Sequence, residues 1–155
     1  MVRCFQERAV SSSATIRSGI FPPSGFMKRR TAWQGSLNSR GAQSITHLAS
    51  LFRQLAWWKL VPDQGSLLKS DAGAFAARDR EGSFAVIYLD TPSVAIDLDS
   101  LAAGEKTLRW YDPSNGIYIE PIERLGRSGL RNVTVPASAN AFGFQDWIAV
   151  LSTQE

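Results

Sequence analysis

Residues 106–120 read KTLRWYDPSNGIYIE and hold the clearest turn signal in this chain of 155 residues. The segment Pro113–Gly116 separates two runs in which apolar and polar side chains alternate. Proline presets φ at the start of such a loop, and glycine accepts the positive φ at its end. The stretch therefore predicts a β-hairpin with a four-residue loop, in which Asp112 lies opposite Ile117.

This register assigns every side chain of the hairpin to one of two faces. It sets Trp110 opposite Ile119, whereas a shift by one residue would place Glu120 beside Leu108 on an apolar face. The apolar face is expected to lie in the core and consists of Leu108, Trp110, Ile117 and Ile119. The other face pairs two aromatic rings with two opposite charges and consists of Arg109, Tyr111, Tyr118 and Glu120.

This second face of the hairpin is the candidate ligand-binding surface. Tyrosine rings that the core does not consume can stack on sugar rings or contact a protein partner. The alternative is a surface cross-strand pair that only stabilises the hairpin. The sequence leaves both interpretations open.

Outward from the hairpin, a period of two continues in further short segments. Turn sequences such as Asp90-Thr91-Pro92 and Ala103-Gly104 separate these segments at intervals of about ten residues. The spacing predicts a mainly β fold, an antiparallel β-sandwich of about seven strands. The predicted strands are Ala74–Arg78, Ser83–Leu89, Ser93–Leu98, Lys106–Tyr111, Ile117–Ile122, Leu130–Val135 and Asp146–Ser152.

One amphipathic helix is predicted before the strands, from Gln43 to Trp58. His47 falls on the polar side, and Pro62 ends the helical region. The apolar stripe recurs at three- and four-residue spacing and consists of Ile45, Leu48, Ala49, Phe52, Leu55 and Ala56. A stripe of this width needs a surface to cover it. It is expected to pack beside the sandwich or to mediate self-association through Leu48, Phe52 and Leu55.

Positive charge is concentrated in residues 1–40. This segment carries seven Lys/Arg residues and one acidic residue, Glu7, for a net charge of +6, whereas residues 41–155 carry a net charge of −3. The segment shows no hydrophobic period and is expected to be a basic, disordered arm that the fold does not need. A basic arm can also bind nucleic acid, so nucleic-acid binding is kept as an alternative function.

Several classes of site are excluded by composition. The chain has one cysteine, Cys4, and one histidine, His47, so it can form neither an intrachain disulfide nor the usual zinc ligand sets. No metal site and no cofactor is predicted. No apolar run has the length of a membrane-spanning helix or of a secretory signal. No membrane contact is therefore expected, and the localisation stays open.

Candidate catalytic carboxylates occur as two pairs, Asp97 with Asp99 and Glu120 with Glu123. A glycosidase needs two carboxyl groups about 5 to 9 Å apart across a cleft. Neither pair lies at a predicted cleft, and the single histidine is not placed to serve a nucleophile, so no catalytic residue is predicted. A small glycoside hydrolase that acts through Asp/Glu pairs is kept as a second alternative function.

Several longer runs of the sequence resemble one family of enzymes. The most specific are the tryptophan-led runs Trp57-Trp58-Lys59-Leu60-Val61-Pro62-Asp63 and Trp110-Tyr111-Asp112-Pro113-Ser114-Asn115-Gly116. Shorter matches are Gly41–Gln43, Leu51-Phe52, Phe84–Leu89, Val94–Leu98 and Asp146–Leu151. From Trp33 onward, over about 120 of the 155 residues, the chain resembles the C-terminal part of the apiosidase-like glycoside hydrolases.

The resemblance implies an organisation and a function. Members of that family join a (β/α)8 barrel to a β-sandwich known as the collagen-binding domain of a collagenase. Residues 41–64 would then be the last barrel helix and its exit loop, and residues 65–155 the accessory sandwich. The catalytic barrel has no counterpart here, so a truncated, non-catalytic domain is expected. It would buttress a barrel or bind glycan or extracellular matrix, in a family that is often secreted.

Overall fold

A computed structural model describes residues 35–69 and 73–154 of the chain. One α-helix, α1, spans Arg40–Gln54, and a short 3₁₀ turn follows at Trp57–Lys59. A second 3₁₀ turn lies at Leu98–Ser100. The eight strands are β1 (Leu60–Pro62), β2 (Ala74–Asp79), β3 (Phe84–Leu89), β4 (Ser93–Asp97), β5 (Glu105–Asp112), β6 (Ile117–Gly126), β7 (Leu130–Thr134) and β8 (Trp147–Gln154).

The strands form two antiparallel sheets, which confirms the predicted mainly β fold with one preceding helix. The larger sheet has six strands in the order β1-β2-β3-β8-β5-β6, and the smaller sheet pairs β4 with β7. All seven predicted strands are present. The eighth, β1, has three residues and is too short to show a period of two.

The main core lies between the two sheets. Alternate residues of β3, β5 and β8 point into it and meet the buried face of β4 and β7. Trp110 is 2% exposed there, as its register predicts, and its indole N–H donates to Glu123 Oε1 at 2.9 Å. The strand residues of this core include Ala85, Ile87, Leu89, Val94, Ile96, Leu108, Val133, Trp147, Ala149 and Leu151.

A second core lies on the opposite face of the six-stranded sheet, under α1. Leu51 of the helix is fully buried there, and Leu55 packs against the same cluster. The sheet contributes Val86, Tyr111, Ile148 and Val150. Because both faces of β3 and β8 are covered, these strands carry nearly continuous apolar runs, such as Trp147-Ile148-Ala149-Val150-Leu151.

The bounds of α1 and its packed side differ from the sequence prediction. The helix starts at Arg40, because the Ser39 side chain accepts from the Ala42 N–H, and it ends at Gln54, because Leu55 is already extended with ψ 150°. The predicted end at Trp58 is therefore wrong. The buried side is centred on Leu51, whereas Ile45 of the predicted stripe is 69% exposed.

The hairpin between β5 and β6 has the predicted loop. Trp110 pairs with Ile119, Tyr111 with Tyr118, and Asp112 with Ile117. Gly116 has φ +77°, and a Cβ there would lie 2.5 Å from His47 Nδ1. His47, predicted on the polar side of the helix, is half-buried because its ring packs against this turn.

Two details of the hairpin depart from the predicted register and faces. A shift in pairing between Leu108 and Trp110 leaves Arg109 outside the ladder to β6, so it is not the strand partner of Glu120. Ile117, expected in the core, is 57% exposed at the loop.

Residues 1–34 lie outside the described part of the chain, and most of the predicted basic arm lies within them.

Candidate functional site

The four residues of the candidate ligand-binding face do lie together. The Arg109 guanidinium carbon is 4.0 Å from the centroid of the Tyr118 ring, close enough for a cation–π contact. The rings of Tyr118 and Tyr111 are 5.1 Å apart and meet edge to face. Arg109 Nη2 and Glu120 Oε1 are 3.8 Å apart.

Tyr111, however, is not available to a ligand. It is 2% exposed beneath α1, and its hydroxyl donates to the backbone carbonyl of His47 at 2.8 Å. Burial raises the pKa of this phenol, and the neighbouring Tyr118 and Asp112 raise it further. The expectation that Tyr111 lies on a solvent-facing surface is wrong, because α1 covers that face of β5.

The accessible part of this cluster is a small charged surface. Glu120 is two-thirds exposed and Arg109 is partly exposed, so their ion pair contributes little to stability. Arg109 Nε is buried and has no hydrogen-bond partner among the described residues. Arg109 also covers one face of the Tyr118 ring, so less of the ring surface is free to stack on a sugar.

The candidate catalytic carboxylates have structural partners. Asp97 accepts from the Asp99 N–H at 3.0 Å and lies 3.3 Å from Lys69 Nζ. Asp99 accepts from the Gly129 N–H, and Glu123 accepts from Trp110 in the core. These carboxylates therefore cap turns, pair with a lysine or satisfy an indole.

A surface that the sequence did not predict lies beside α1, on the same sheet face as the second core. It is a cavity of about 590 Å³ between the helix and the strands β1, β2 and β3. We call it the aromatic groove and define it by Phe52, Leu60, Pro62, Asp63, Phe75, Val86 and Tyr88.

The aromatic groove exposes large rings to solvent. Phe75 is 72% exposed and Tyr88 is 38% exposed, and the two residues are direct cross-strand partners. Phe52 of α1 lines the same cavity. One sequence signal was available, because Phe75 is the one large side chain in Ala74–Ala77, and Ala77, which shares its face of β2, leaves space beside the ring.

Asp63 is the one charged residue that lines the groove, and its oxygens are already used. Its carboxylate accepts from the N–H groups of Ser66, Leu67 and Leu68 and from the Ser66 hydroxyl. Burial alone would raise the pKa of Asp63, but these hydrogen bonds outweigh it and hold the pKa below its usual value. Asp63 therefore organises the loop after β1 and has little capacity left for a ligand.

Two exposed tryptophans stand next to the groove, in the 3₁₀ turn. Trp57 is 56% exposed and Trp58 is 70% exposed, with ring centroids 6.4 Å apart. Trp58 lines a separate polar cavity with Lys59, Asp79, Arg80 and Glu81. Exposed tryptophans at this density are typical of a contact surface.

Metal and membrane sites are absent from the described ranges, 35–69 and 73–154. No group of three or more His, Cys, Asp or Glu side chains there is placed to hold a metal ion. Within the same ranges, no helix is long and apolar enough to cross a membrane. The candidate functional surfaces are therefore the charged hairpin cluster, the aromatic groove and the tryptophan pair.

Comparison with known proteins places the sandwich in a family. Residues 61–152 match the family described as "Putative collagen-binding domain of a collagenase". A comparison with curated proteins found no match.

Solved structures with the same fold are parts of larger enzymes. One, titled "Glycoside hydrolase", superposes with a TM-score of 0.60 at 19% identity over 79% of this chain and 27% of that chain. A crystal structure of a glycoside hydrolase family 5 protein from Bacteroides vulgatus ATCC 8482 gives a TM-score of 0.61 at 20% identity, over 81% of this chain and 27% of that chain. The chain thus spans about a quarter of the length of these enzymes.

Proposed function

Because the chain belongs to this family of collagen-binding domains, we propose that it is a non-catalytic accessory domain that binds an extracellular-matrix polymer for a carbohydrate-active enzyme. The enzyme it serves is a glycoside hydrolase of the apiosidase-like type. The sandwich holds the polymer near that enzyme, and the chemistry belongs to the enzyme.

The solved structures support the accessory role. Their sandwich-like part is about a quarter of each chain, and both chains are titled as glycoside hydrolases. Sites on a shared fold still have to be argued from their own residues. The role of this chain therefore depends on a surface that can bind a polymer.

The aromatic groove is the observation that carries the proposal. A soluble domain that keeps Phe75 and Tyr88 exposed beside a cavity of about 590 Å³ has a surface suited to binding. Because Phe75 and Tyr88 are exposed at the groove, a chain longer than the cavity can contact them and extend beyond it. The charged cluster of Arg109, Tyr118 and Glu120 lies on the same sheet face and is a secondary contact for such a chain.

Polymer binding is tested by co-sedimentation of the full chain with insoluble fibrillar collagen and, separately, with insoluble cellulose and xylan. At least one polymer should retain the protein, and the Phe75→Ala/Tyr88→Ala variant should stay in solution. Phe144→Ala is the matched control, because Phe144 is 57% exposed and does not line the groove. Retention of the double variant at the wild-type level would contradict the assignment of binding to the groove.

A second candidate function is the buttressing of a barrel by the exposed side of α1. Ile45 of α1 is 69% exposed, and Trp58 of the 3₁₀ turn that follows the helix is 70% exposed. The test is binding of a hydrophobic fluorescent dye. Ile45→Gln with Trp58→Gln should reduce dye binding and leave polymer retention unchanged. Loss of retention in this variant would make these residues part of the polymer site.

A further inference from the structure

We propose that the aromatic groove binds a polyproline II segment, the conformation of each collagen chain, through its proline rings rather than a sugar polymer. This rests on the proposed function, because it names the class of polymer that the groove would hold. The groove would use Phe75 and Tyr88 as its base and Phe52 as one wall.

The polarity of the groove favours proline over sugar. A sugar ring carries several hydroxyl groups, and a site for it needs a matching set of hydrogen-bond donors and acceptors. The groove offers the Tyr88 hydroxyl, whereas the Asp63 carboxylate is taken up by Ser66, Leu67 and Leu68. A proline ring has no N–H to satisfy and buries an apolar surface against aromatic rings.

The arrangement of the rings suits an extended chain. Phe75 and Tyr88 lie opposite each other on antiparallel strands, so their Cβ atoms are about 5 Å apart on one face. A polyproline II chain repeats its face every three residues, at roughly 9 Å, and makes no internal hydrogen bonds. One proline can therefore rest on the Phe75–Tyr88 pair while its neighbours along the chain contact Phe52 or solvent.

Charge at the Tyr88 end complements a basic ligand. Asp90 directly follows β3, the strand that contains Tyr88. Asp146 directly precedes β8, the strand whose Ile148 pairs with Tyr88. Burial raises the pKa of Tyr88, and the negative charges of Asp146 and Asp90 raise it further, which shows that both act at this end. On α1, Arg53 follows Phe52 in the sequence and is exposed. A proline-rich chain with a lysine or arginine at one end fits this distribution.

The test uses a decaproline peptide that carries one terminal lysine, titrated into the full chain by isothermal calorimetry. Phe75→Ala and Tyr88→Ala should each weaken binding by about tenfold, and Phe144→Ala should leave it unchanged. A glycine–serine peptide of equal length with the same lysine should bind at least tenfold more weakly than decaproline. A xylo-oligosaccharide is titrated in parallel. Far-UV circular dichroism and a urea titration check that each variant is folded.

Each outcome has one meaning for the inference. Retention on an insoluble polymer without decaproline binding would overturn the polyproline assignment and leave the proposed function standing. Decaproline binding that Phe75→Ala leaves intact would overturn the groove as its site. Xylo-oligosaccharide binding that Phe75→Ala removes would assign the groove to a glycan. A dimer that Phe75→Ala dissociates, with no decaproline binding, would assign it to a second copy of the chain.

Failure of the proposed function would look different. In that case no insoluble polymer retains the wild-type chain, whatever the peptide titration gives. Peptide binding without polymer retention would then mean that the groove recognises proline-rich segments of a soluble protein. The two experiments therefore separate the ligand of the groove from the role of the domain.

Discussion

Neighbouring residues Trp110 and Tyr111 point to opposite faces of β5, and both are 2% exposed. Trp110 lies between the two sheets, and its indole N–H is satisfied by Glu123. Tyr111 lies under α1, and its hydroxyl is satisfied by the carbonyl of His47. Both rings therefore bury an aromatic surface and keep their polar atom paired, the arrangement that large aromatic side chains need in a core.

Replacement of either ring should be costly. Trp110→Ala and Tyr111→Ala should each lower the free energy of unfolding by about 3–5 kcal/mol, because each leaves a large cavity. Tyr111→Phe should cost about 0.5–1.5 kcal/mol, since it removes one hydrogen bond while the His47 carbonyl keeps its partner within the helix. Urea unfolding measures these values. A cost below about 1 kcal/mol for Tyr111→Ala would fit the surface cross-strand pair that the sequence suggested, and would mean that α1 does not cover this ring.

Asp63 should make stability depend on pH in the acid range. Its pKa in the folded protein lies below the ordinary 3.8, so its contribution is complete above about pH 4 and is lost as the pH falls further. Asp63→Asn should cost about 1–3 kcal/mol at pH 7, because three N–H groups lose an anionic acceptor. It should also flatten the fall in stability below about pH 4.

Urea unfolding at pH 7 and at pH 3 measures both effects of the Asp63 change. Glu81→Gln serves as the control, because Glu81 is an exposed acid in a turn. An equal loss of stability on acidification in wild type and Asp63→Asn would show that another group controls the acid range.

For individual residues, part of the candidate site could be predicted from the sequence. The loop chemistry of Pro113 and Gly116 set the register, so the core position of Trp110 follows from local alternation. The burial of Tyr111 does not follow from it, because alternation says which side chains share a face and not what covers that face. The covering layer comes from α1, whose sequence is some 60 residues away from the hairpin.

Among the elements, α1 shows most clearly how a tertiary contact overrides a sequence pattern. The widest apolar stripe of the helix includes Ile45, yet its buried side is centred on Leu51 and includes the backbone at His47. The spacing of apolar residues along a helix shows which of them share a face, but not which of them the partner surface reaches. Phe52 of the helix lines the aromatic groove, and Ile45 and Leu48 stay exposed.

A pair of substitutions separates the two sides of α1. Leu51→Ala should lower the free energy of unfolding by about 2–5 kcal/mol, because Leu51 is fully buried in the second core. Ile45→Ala should change it by at most about 0.5 kcal/mol, because Ile45 is 69% exposed. Guanidinium unfolding provides both values. Equal costs for the two variants would mean that the helix packs through its predicted stripe after all.

The strands were the more predictable elements. Their turns carry glycine, proline and aspartate, and these local signals bounded all seven predicted strands. The exception is β1, which adds Leu60–Pro62 to the edge of the sheet beside β2. A three-residue strand is defined by its partner rather than by its own pattern, so it could be found only with the sheet in view.

For the whole molecule, self-association through Leu48, Phe52 and Leu55 remains a prediction. Leu48 is 36% exposed and Phe52 lines the open groove, but Leu55 packs against the second core. We expect sedimentation velocity to show a dimer or larger species, because an apolar surface of this kind favours association. Leu48→Glu or Phe52→Glu should shift the protein to a monomer, and Arg53→Glu, the exposed neighbour, should not.

A monomer at all concentrations, with no change in mass in Phe52→Glu, would refute self-association.

The aromatic groove itself could not be predicted from local patterns in the sequence. Its walls come from four separate elements, α1, β1, β2 and β3. Such a surface arises from long-range packing, and the sequence marks it only by a large ring among small residues.

The position of β8 has a consequence for the order in which the protein can fold during synthesis. β8 is the last of the eight strands along the chain, yet it lies between β3 and β5 in the sheet. Until Trp147–Gln154 leaves the ribosome, β1-β2-β3 and β5-β6 are separate ribbons, each with an unpaired edge. Translation, which delivers the N-terminal part first, therefore provides every strand but β8 before any stable sheet can form. A nascent chain halted before Trp147 would be a ready substrate for chaperones and proteases, and the last few codons of the domain would convert it to a protected state.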